Sequence, residues 1–241
     1  MKHIGILAHS AEGSALCYRT ACHEGARRLG EHMHPDITVS VIPMGTSMPH
    51  WHALDLEPIR EIMAMTVDRL KAAGCDFFVC PDNTAHMALE TQGAPFSLPG
   101  LHIAEVVAAK ANADGCKKVG ILGTKWTMEG VVYPEAFKRR GLDFCSPDKD
   151  DRAYVDKVIF DELCNGIIRD EARVGYLNII EKLKDEGCDV VLLGCTEIPL
   201  LITPDISPLP TLDSTRLLAT AAVDVALGDQ AMPVWRGGAI S

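Results

Sequence analysis

The fold can be read from two matching hexapeptides, Gly74-Cys75-Asp76-Phe77-Phe78-Val79 and Gly187-Cys188-Asp189-Val190-Val191-Leu192. In each of them a glycine ends a helical pattern, and an apolar run then begins a strand. The preceding helices are predicted around 56–73 and around 175–186, because apolar residues recur there with the helical period. These residues are Ile59, Met63, Val67 and Leu70 in the first helix and Leu177, Ile180 and Leu183 in the second. Helices that alternate with buried strands predict parallel βαβ units and an α/β sheet.

The hexapeptides are part of a repeat that covers most of the chain. Ile4–Leu7 reads Ile-Gly-Ile-Leu and Val119–Leu122 reads Val-Gly-Ile-Leu, and small and polar residues follow each of them. The glycines of these two segments are 115 residues apart, and the glycines that open the hexapeptides are 113 residues apart. The nearly constant spacing predicts a duplicated chain with two pseudo-symmetric α/β halves.

Prolines mark the predicted limits of the two halves. We assign residues 1–99 and 210–241 to the first half and residues 100–209 to the second, with crossings near Pro99-Gly100 and within Pro204–Pro210. A last helix from about Asp213 to Leu227 is expected to pack on the first half.

Composition and charge exclude several classes of protein. The formal net charge of −10 and the pI of about 5.3 argue against binding to nucleic acid, because phosphates require clustered lysine and arginine. We expect no membrane span, since no run of about 18 apolar residues occurs. We also expect no secretory signal in Met1–Ser10, where the apolar run is short. Nine cysteines without a CxxC pair predict reduced thiols in a cytoplasmic protein.

Asp82 and Cys195 occupy equivalent positions in the repeat. Each comes eight residues after the glycine of its hexapeptide, directly after a predicted strand and at the predicted start of a helix. Ligands of doubly wound sheets bind at the carboxyl ends of strands, so the two halves are expected to face each other across a small-molecule cleft. A helix N-terminus favours an anion, and we therefore expect a lowered pKa for the Cys195 thiol.

Several segments resemble the aspartate/glutamate racemase family, the cofactor-independent amino acid racemases. They are Ile4–Leu7, Pro81–His86 (Pro-Asp-Asn-Thr-Ala-His), Ile121–Met128, Val158–Leu163, Gly194–Ile198 (Gly-Cys-Thr-Glu-Ile) and Leu212–Thr215. The resemblance implies two flavodoxin-like halves with the site between them. It implies no pyridoxal phosphate and no metal, so no cofactor is expected. It also implies a homodimer, and two acid/base residues that remove and return the α-proton of a small amino acid from opposite faces.

The chain departs from the family at the first of these acid/base positions. Family members usually have cysteine at both, whereas Asp82 takes the place of the first thiol here and Cys195 matches the second. A carboxylic acid with a free pKa of about 3.9 is a poor proton donor at neutral pH. Burial and a neighbouring thiolate would raise the pKa of Asp82, and the two groups would then share about one proton.

Small polar residues around this pair are predicted to hold the substrate carboxylate. They are Ser10, Asn83, Thr84, Thr124 and Thr196. Aspartate racemases of the family hold a second carboxylate with an arginine in the region corresponding to 43–52, and this region has no Arg or Lys here. Either the substrate side chain is neutral, or His50 or His52 takes the place of the arginine.

Other polar candidates have simpler interpretations. His50 and His52, on a predicted irregular loop, lack further ligands at suitable spacing and predict no metal site. His86 either tunes Asp82 or makes a structural hydrogen bond. Lys125 is expected to be a solvated loop lysine, and neither GxxxxGK nor GxGxxG occurs in the chain.

Three functional hypotheses follow from these observations. The first is a cofactor-independent racemase or epimerase of a small amino acid. The second is a lyase, decarboxylase or cis–trans isomerase that acts on a small carboxylic acid through a similar carbanion. The third is a small-ligand binding protein with little or no catalysis.

Overall fold

The described chain, residues 1–240 of a computed structural model, divides into two compact units. The first unit consists of Met1–Ile103 together with the chain from Thr215 onward. The second unit is the continuous segment Ala104–Ser214.

Strands and helices alternate along residues 1–240. The strands are β1 (Ile4–Ala8), β2 (Ile37–Val41), β3 (Phe77–Val79), β4 (Gly100–Leu101), β5 (Lys118–Gly123), β6 (Asp143–Cys145), β7 (Val190–Gly194) and β8 (Thr211–Asp213). The helices are α1 (Ala11–Leu29), α2 (Met48–Ala53), α3 (Leu56–Ala72), α4 (His86–Leu89), α5 (Ile103–Ala113), α6 (Lys125–Glu129), α7 (Val132–Lys138), α8 (Lys149–Asp161), α9 (Asp170–Asp185), α10 (Ile198–Leu201) and α11 (Ser214–Leu227). Within this part of the chain, no helix is both long and apolar enough to cross a membrane.

The two units contain parallel sheets of the same topology. The strand order is β2-β1-β3-β4 in the first sheet and β6-β5-β7-β8 in the second, as in flavodoxin-like sheets. The register repeats as well, because Gly5 lies opposite Phe78 and Gly120 lies opposite Val191. The prediction of two pseudo-symmetric α/β halves with parallel sheets is confirmed.

The hexapeptides that suggested the duplication form the same structure in both units. Gly74 and Gly187 have φ angles of +87° and +90°, a conformation that glycine adopts without steric cost. Asp76 then accepts a hydrogen bond of 2.7 Å from the backbone N–H just before β1, and Asp189 accepts one of 2.7 Å from the backbone N–H of Lys117, just before β5. Each aspartate thereby ties the start of a central strand to the start of its neighbour.

The helices before the hexapeptides bury the faces that their sequences indicate. Helix α3 has the predicted extent and buries Ile59, Met63, Val67 and Leu70. Helix α9 begins at Asp170, earlier than predicted, and its first turn carries acidic side chains, which the positive end of a helix favours. Its buried face includes Tyr176, Ile179, Ile180 and Leu183, whereas Leu177 is only half-buried.

Glycines in the central strands permit close packing of these helices. A Cβ at Gly5 would lie 3.1 Å from Cδ1 of Leu70 in α3, and a Cβ at Gly120 would lie 3.0 Å from Cδ1 of Leu183 in α9. Strands β1, β3 and β7 are buried along their whole length, as expected of parallel strands with both faces covered.

The units divide a few residues later than the boundaries predicted from the sequence. The divisions fall at 103/104 and 214/215, whereas the sequence indicated 99/100 and 209/210. Strand β4 pairs with β3 and strand β8 pairs with β7, so each short strand stays with the sheet that it completes. The prolines therefore precede the last strand of each sheet and do not follow it.

Candidate functional site

Asp82 and Cys195 lie at the carboxyl edges of the two sheets. Asp82 follows β3 after a short loop, and Cys195 follows β7 directly. The next helices, α4 and α10, begin only at His86 and Ile198. The helix N-terminus predicted at each of these residues therefore lies a few residues further along the chain.

Asp82 belongs to a hydrogen-bonded cluster in the first unit, which we call the Asp82 cluster and which contains His9, Ser47 and Asp82. Asp82 Oδ2 is 2.5 Å from His9 Nδ1, and His9 Nε2 is 2.9 Å from Ser47 Oγ. The other carboxylate oxygen, Oδ1, accepts a hydrogen bond of 3.1 Å from the backbone N–H of Ala85. The side chain of His9 is 8% exposed and that of Asp82 is 17% exposed, so both are largely shielded from solvent.

The two partners stabilise each other's charged forms. Burial alone would raise the pKa of Asp82, but the hydrogen bond and charge of His9 outweigh burial and lower that pKa below its usual value. Burial alone would lower the pKa of His9, but the hydrogen bond and charge of Asp82 outweigh burial and raise it. The raised pKa expected for Asp82 from the sequence is therefore wrong, because that expectation lacked the histidine.

Cys195 belongs to a second cluster, the Cys195 cluster, which contains Cys195, Thr196 and Glu197. The thiol of Cys195 donates a hydrogen bond of 2.9 Å to Glu197 Oε2, and the hydroxyl of Thr196 donates one of 2.6 Å to the same oxygen. Glu197 is buried with 4% exposure, so its carboxylate depends on these donors for part of its solvation.

The surroundings of Cys195 keep it a thiol at neutral pH. Burial raises the pKa of the Cys195 thiol well above its usual value, and the charge and hydrogen bonding of Glu197 raise it further. The lowered pKa that the sequence suggested is wrong, because a buried carboxylate next to the sulfur disfavours a second negative charge. Cys195 is accordingly a thiol whose proton is directed at Glu197.

His86 has a structural role in the loop that carries Asp82. Its Nδ1 donates to the main-chain oxygen of Asp82 at 3.0 Å, and its Nε2 accepts from the backbone N–H of Ile103 at 3.3 Å. Burial, together with the nearby His102, lowers the pKa of His86 to about 3. Of the two interpretations of His86, structural hydrogen bonding is the one that the geometry supports.

The predicted carboxylate-binding residues of the first unit follow its two central strands. Ser10 follows β1, and Asn83 and Thr84 follow β3. Since β1 and β3 are neighbouring parallel strands, both loops leave the same edge of the sheet. Asn83 is buried, whereas Ser10 and Thr84 are half-buried.

The predicted carboxylate-binding residues of the second unit have the equivalent arrangement. Thr124 follows β5 and Thr196 follows β7, the neighbouring strand. Thr124 Oγ1 accepts a hydrogen bond of 3.3 Å from the backbone N–H of Thr127 and caps helix α6, and Thr196 is bonded to Glu197. Both hydroxyls thus have intramolecular partners, which fix their positions.

Three polar members of the clusters were not predicted as functional from the sequence: His9, Ser47 and Glu197. His9 could have been found, because it directly follows β1 and the loops of neighbouring strands lie at the same edge of the sheet. Glu197 stands in the quoted Gly194–Ile198 segment, but a sequence motif does not show which atom a carboxylate contacts. Ser47 reaches His9 through a long connection from β2, and the sequence contains no signal for that contact.

The remaining polar candidates form no metal site. In residues 1–240 no group of three or more His, Cys, Asp and Glu side chains is arranged to hold a metal ion. His50 and His52 lie on the short helix α2 and not on an irregular loop. The ammonium group of Lys125 lies 4.9 Å from the centre of the Trp126 ring.

The relatives of this chain include racemases. The chain is 25% identical to the broad specificity amino-acid racemase RacX of Bacillus subtilis over 177 residues, which are 73% of this chain and 76% of RacX. It is 30% identical to the glutamate racemase of Corynebacterium glutamicum over 169 residues, which are 67% of this chain and 59% of that enzyme. The match thus spans about three-fifths of the glutamate racemase.

Solved structures share the fold over almost the whole chain. The crystal structure of a Yersinia pestis protein provisionally classed as an Asp/Glu racemase is 31% identical, with a TM-score of 0.83, and the alignment covers 94% of this chain and 100% of that one. An aspartate racemase homologue from Pyrococcus horikoshii is 22% identical and has the same fold, with a TM-score of 0.79 and coverage of 94% and 100%. A family model described as Asp/Glu/Hydantoin racemase matches residues 6–222. This chain therefore belongs to the Asp/Glu/Hydantoin racemase family.

Proposed function

We propose that this racemase inverts the α-carbon of a small amino acid without a cofactor, with Asp82 and Cys195 as its two acid/base groups. One observation carries the proposal. Asp82 and Cys195 follow equivalent strands, β3 and β7, of two sheets with the same strand order. Racemisation through a planar carbanion needs one proton acceptor and one donor on opposite faces, and a duplicated fold supplies such a pair.

The protonation states of the two groups suit this chemistry. Asp82 has a lowered pKa and is a carboxylate at neutral pH, while Cys195 has a raised pKa and is a thiol. Asp82 would remove the α-proton, the electron pair would remain on the substrate as a carbanion, and the Cys195 thiol would return a proton to the opposite face. The products of this step are the inverted amino acid, a Cys195 thiolate and a protonated Asp82. The opposite direction uses the same groups in reversed roles.

Because the two groups differ, the two directions should differ in kcat and in KM, while kcat/KM stays equal because the enantiomers have equal energy. The resting enzyme already has Asp82 as base and Cys195 as acid, so the enantiomer whose α-proton faces Asp82 meets the correct protonation states. The other enantiomer requires Cys195 as a thiolate and Asp82 in its protonated form. We propose this difference as a specific property of the Asp82 enzyme compared with a symmetric pair of thiols.

The proposed substrate has an uncharged side chain. The region 43–52, which forms a 3₁₀ turn and helix α2, contains no Arg or Lys to bind a second carboxylate. The name of RacX, a broad specificity amino-acid racemase, agrees with a substrate other than aspartate or glutamate. Ser10, Asn83, Thr84, Thr124 and Thr196 are the proposed contacts of the substrate's α-carboxylate.

The lowered pKa of Asp82 also favours a second candidate function. A carboxylate with a lowered pKa is seldom protonated and is therefore slow to return a proton. The carbanion can then follow a reaction other than reprotonation. A lyase, decarboxylase or isomerase that acts on a small carboxylic acid would use the same two groups. Release of carbon dioxide or of an alkene would identify such an activity.

Incubation with amino acids in heavy water tests the main proposal. Under racemisation, deuterium enters the α-position and the enantiomer composition changes, which NMR and chiral chromatography measure. Cys195→Ala should lower the rate at least about 100-fold, the scale of acid–base catalysis. The matched control is Cys116→Ala, which alters a half-buried thiol next to the start of β5 and should leave the rate unchanged.

Two results would contradict the assignment. Full activity of Cys195→Ala in both directions would exclude its acid/base role. Ligand-dependent thermal shifts without turnover for any amino acid would indicate a binding protein instead.

We also propose a cytoplasmic setting and a homodimeric assembly. Nine cysteines without a CxxC pair agree with a reducing, cytoplasmic compartment. The resemblance of the motifs to the racemase family suggests a homodimer, which light scattering after gel filtration would measure.

A further inference from the structure

We propose that His9 is a positioning residue for Asp82 and that these two side chains hold one mobile proton between them. The first acid/base group of the enzyme is then a histidine–aspartate pair in place of a single carboxylate. This inference rests on the proposed racemase chemistry, and it concerns how a carboxylate can replace a thiol at this position.

Hydrogen-bond donors and acceptors in the Asp82 cluster determine where the protons are. Ser47 Oγ donates its only proton to the main-chain oxygen of Met44 at 2.9 Å. Ser47 must therefore accept from His9 Nε2, so Nε2 carries a proton. The other ring nitrogen, Nδ1, is 2.5 Å from Asp82 Oδ2.

The short contact requires a further proton. An unprotonated ring nitrogen and a carboxylate oxygen are both acceptors and would repel each other at 2.5 Å. One proton therefore lies between Nδ1 and Oδ2. If the proton is on Nδ1, the pair is an imidazolium and a carboxylate, and if it is on Oδ2, the pair is a neutral imidazole and a carboxylic acid.

The geometry also fixes the direction in which Asp82 points. Oδ2 is held by His9, and Oδ1 is held by the backbone N–H of Ala85. The main-chain oxygen of Asp82 is held in turn by His86. A carboxylate has about four lone-pair positions, so two remain for a substrate after these contacts.

A lone carboxylic acid is a poor proton donor at neutral pH, and the histidine–aspartate pair can hold the proton that it lacks. When the pair lacks the shared proton, Asp82 takes the α-proton, which is then held between Oδ2 and Nδ1, while the electron pair stays on the substrate. In the opposite direction the Cys195 thiolate takes the α-proton, and the histidine–aspartate pair returns its own. One proton is thus shared between the pair and Cys195 at every stage, and each direction restores the other resting form.

Other titratable groups around the pair stay neutral near pH 7. His86 has a pKa of about 3, and the pKa of the Cys80 thiol is raised well above its usual value by burial and by Asp82. Trp51 of helix α2 faces the His9 ring edge-on, with 6.2 Å between ring centres, and carries no titratable group. A titration of the first acid/base group near neutral pH would therefore belong to His9 and Asp82.

Replacement of His9 separates orientation from proton storage. The side-chain amide of His9→Asn can donate from about the position of Nδ1, so it orients Asp82, but it cannot hold a transferable proton. We expect His9→Asn to lose about 100-fold in kcat/KM in both directions, since the equal energies of the enantiomers keep the two values equal. The alkaline decrease of kcat in the direction in which Asp82 returns the proton should disappear. Added imidazole should partly restore His9→Ala, whose thermal unfolding shows whether it is folded.

The control is His3→Asn. His3 lies in the same unit, and its Nε2 contacts Thr38 Oγ1 at 2.9 Å, before the amino end of β1. This variant should keep the wild-type rate and pH profile. If His9→Asn also kept both, the inference would be overturned and the racemase assignment would stand.

A measurement without substrate keeps the two proposals separate. In nitrogen-15 NMR spectra near pH 7, the wild-type ring of His9 should show protons on both nitrogens, and Asp82→Asn should remove the one on Nδ1. A single ring proton in the wild type would contradict the shared proton whatever the activity. If the wild type showed both ring protons but no turnover, the proposed racemase function would be refuted and the proposal of a shared proton would stand.

Discussion

At the scale of single residues, His86 shows how a buried imidazole can serve a site without exchanging protons. Its two nitrogens contact the main chain, one at Asp82 and the other at Ile103, and its ring lies parallel to that of Trp235. These contacts need the neutral form, with one nitrogen as donor and the other as acceptor. The same feature that fixes the Asp82 loop makes the protein sensitive to acid.

We therefore predict a loss of stability in acid that depends on His86. The unfolded chain protonates this histidine below about pH 6.5, whereas the folded protein resists protonation down to a pKa of about 3. The unfolded state thus binds more protons between these values, and the free energy of unfolding falls as the pH falls, by about 1.4 kcal/mol per pH unit for one group. Urea unfolding from pH 7 to pH 4 should show a shallower slope for His86→Asn. Equal slopes in both proteins would contradict the prediction.

At the scale of secondary-structure elements, the turns after α3 and α9 connect the helices to the strands that carry Asp82 and Cys195. Both turns depend on a glycine with positive φ, Gly74 and Gly187. Their equivalence shows that the duplication extends to backbone conformation, and it gives a matched pair of positions for mutation.

We predict that Gly74→Ala and Gly187→Ala destabilise the protein by similar amounts. A Cβ in the left-handed region costs roughly 1–2 kcal/mol. A Cβ at Gly187 would meet no atom within 4 Å, and one at Gly74 would meet His3 Nδ1 at 3.9 Å, so little contact would offset this cost. Gly45→Ala is the control, because a Cβ there meets no atom within 4 Å and φ is not in that region. Urea unfolding of the three variants measures the effect. A neutral Gly187→Ala would show that the turn rearranges.

At the scale of the whole molecule, the chain leaves the first unit at Ile103 and returns to it at Thr215. The returning segment ends in a tail that completes the first unit. The backbone N–H of Gly100 donates to the main-chain oxygen of Trp235 at 2.6 Å, and the Trp235 ring packs against Phe78, Phe96 and His102. The tail therefore packs on the part of the first unit that contains His86, the residue that holds the Asp82 loop.

We predict that Trp235→Ala weakens the first unit selectively. The half-buried ring should contribute about 2 kcal/mol, less than the about 3–5 kcal/mol of a fully buried aromatic side chain. Hydrogen exchange followed by mass spectrometry should show faster exchange in β3, β4 and α4 than in the wild type. Trp126→Ala, which removes a ring packed on Phe160 in the second unit, is the matched control and should affect the second unit. Uniformly faster exchange in both variants would contradict a local role.

Local patterns predicted the architecture because they recur twice with constant spacing. The two hexapeptides, the helices before them and the central strands have the positions that periodicity indicated, apart from the earlier start of α9. The unit boundaries were less accurate, because prolines mark a break in regular structure and do not show with which sheet a short strand pairs.

The protonation states of Asp82 and Cys195 were not predictable in the same way. Equivalence in the repeat pointed to Asp82 and Cys195, but both expected pKa shifts had the wrong direction. A pKa depends on the charges within a few ångströms. The charged partners of Cys195 and of Asp82 come from different distances along the chain. Glu197 is close to Cys195 in the chain, whereas His9 and Asp82 are brought together only by the pairing of β1 with β3.

The order of residues along the chain was thus sufficient for the duplicated α/β fold and for the equivalent positions of Asp82 and Cys195 after β3 and β7, because hydrophobic periodicity and glycine turns act over short distances. Folding alone determined the partners of Asp82, the acidity of Cys195 and the neutral state of His86. These properties depend on the distances and burial that folding sets, whether the partner is far away in the chain, as His9 is from Asp82, or two residues away, as Glu197 is from Cys195.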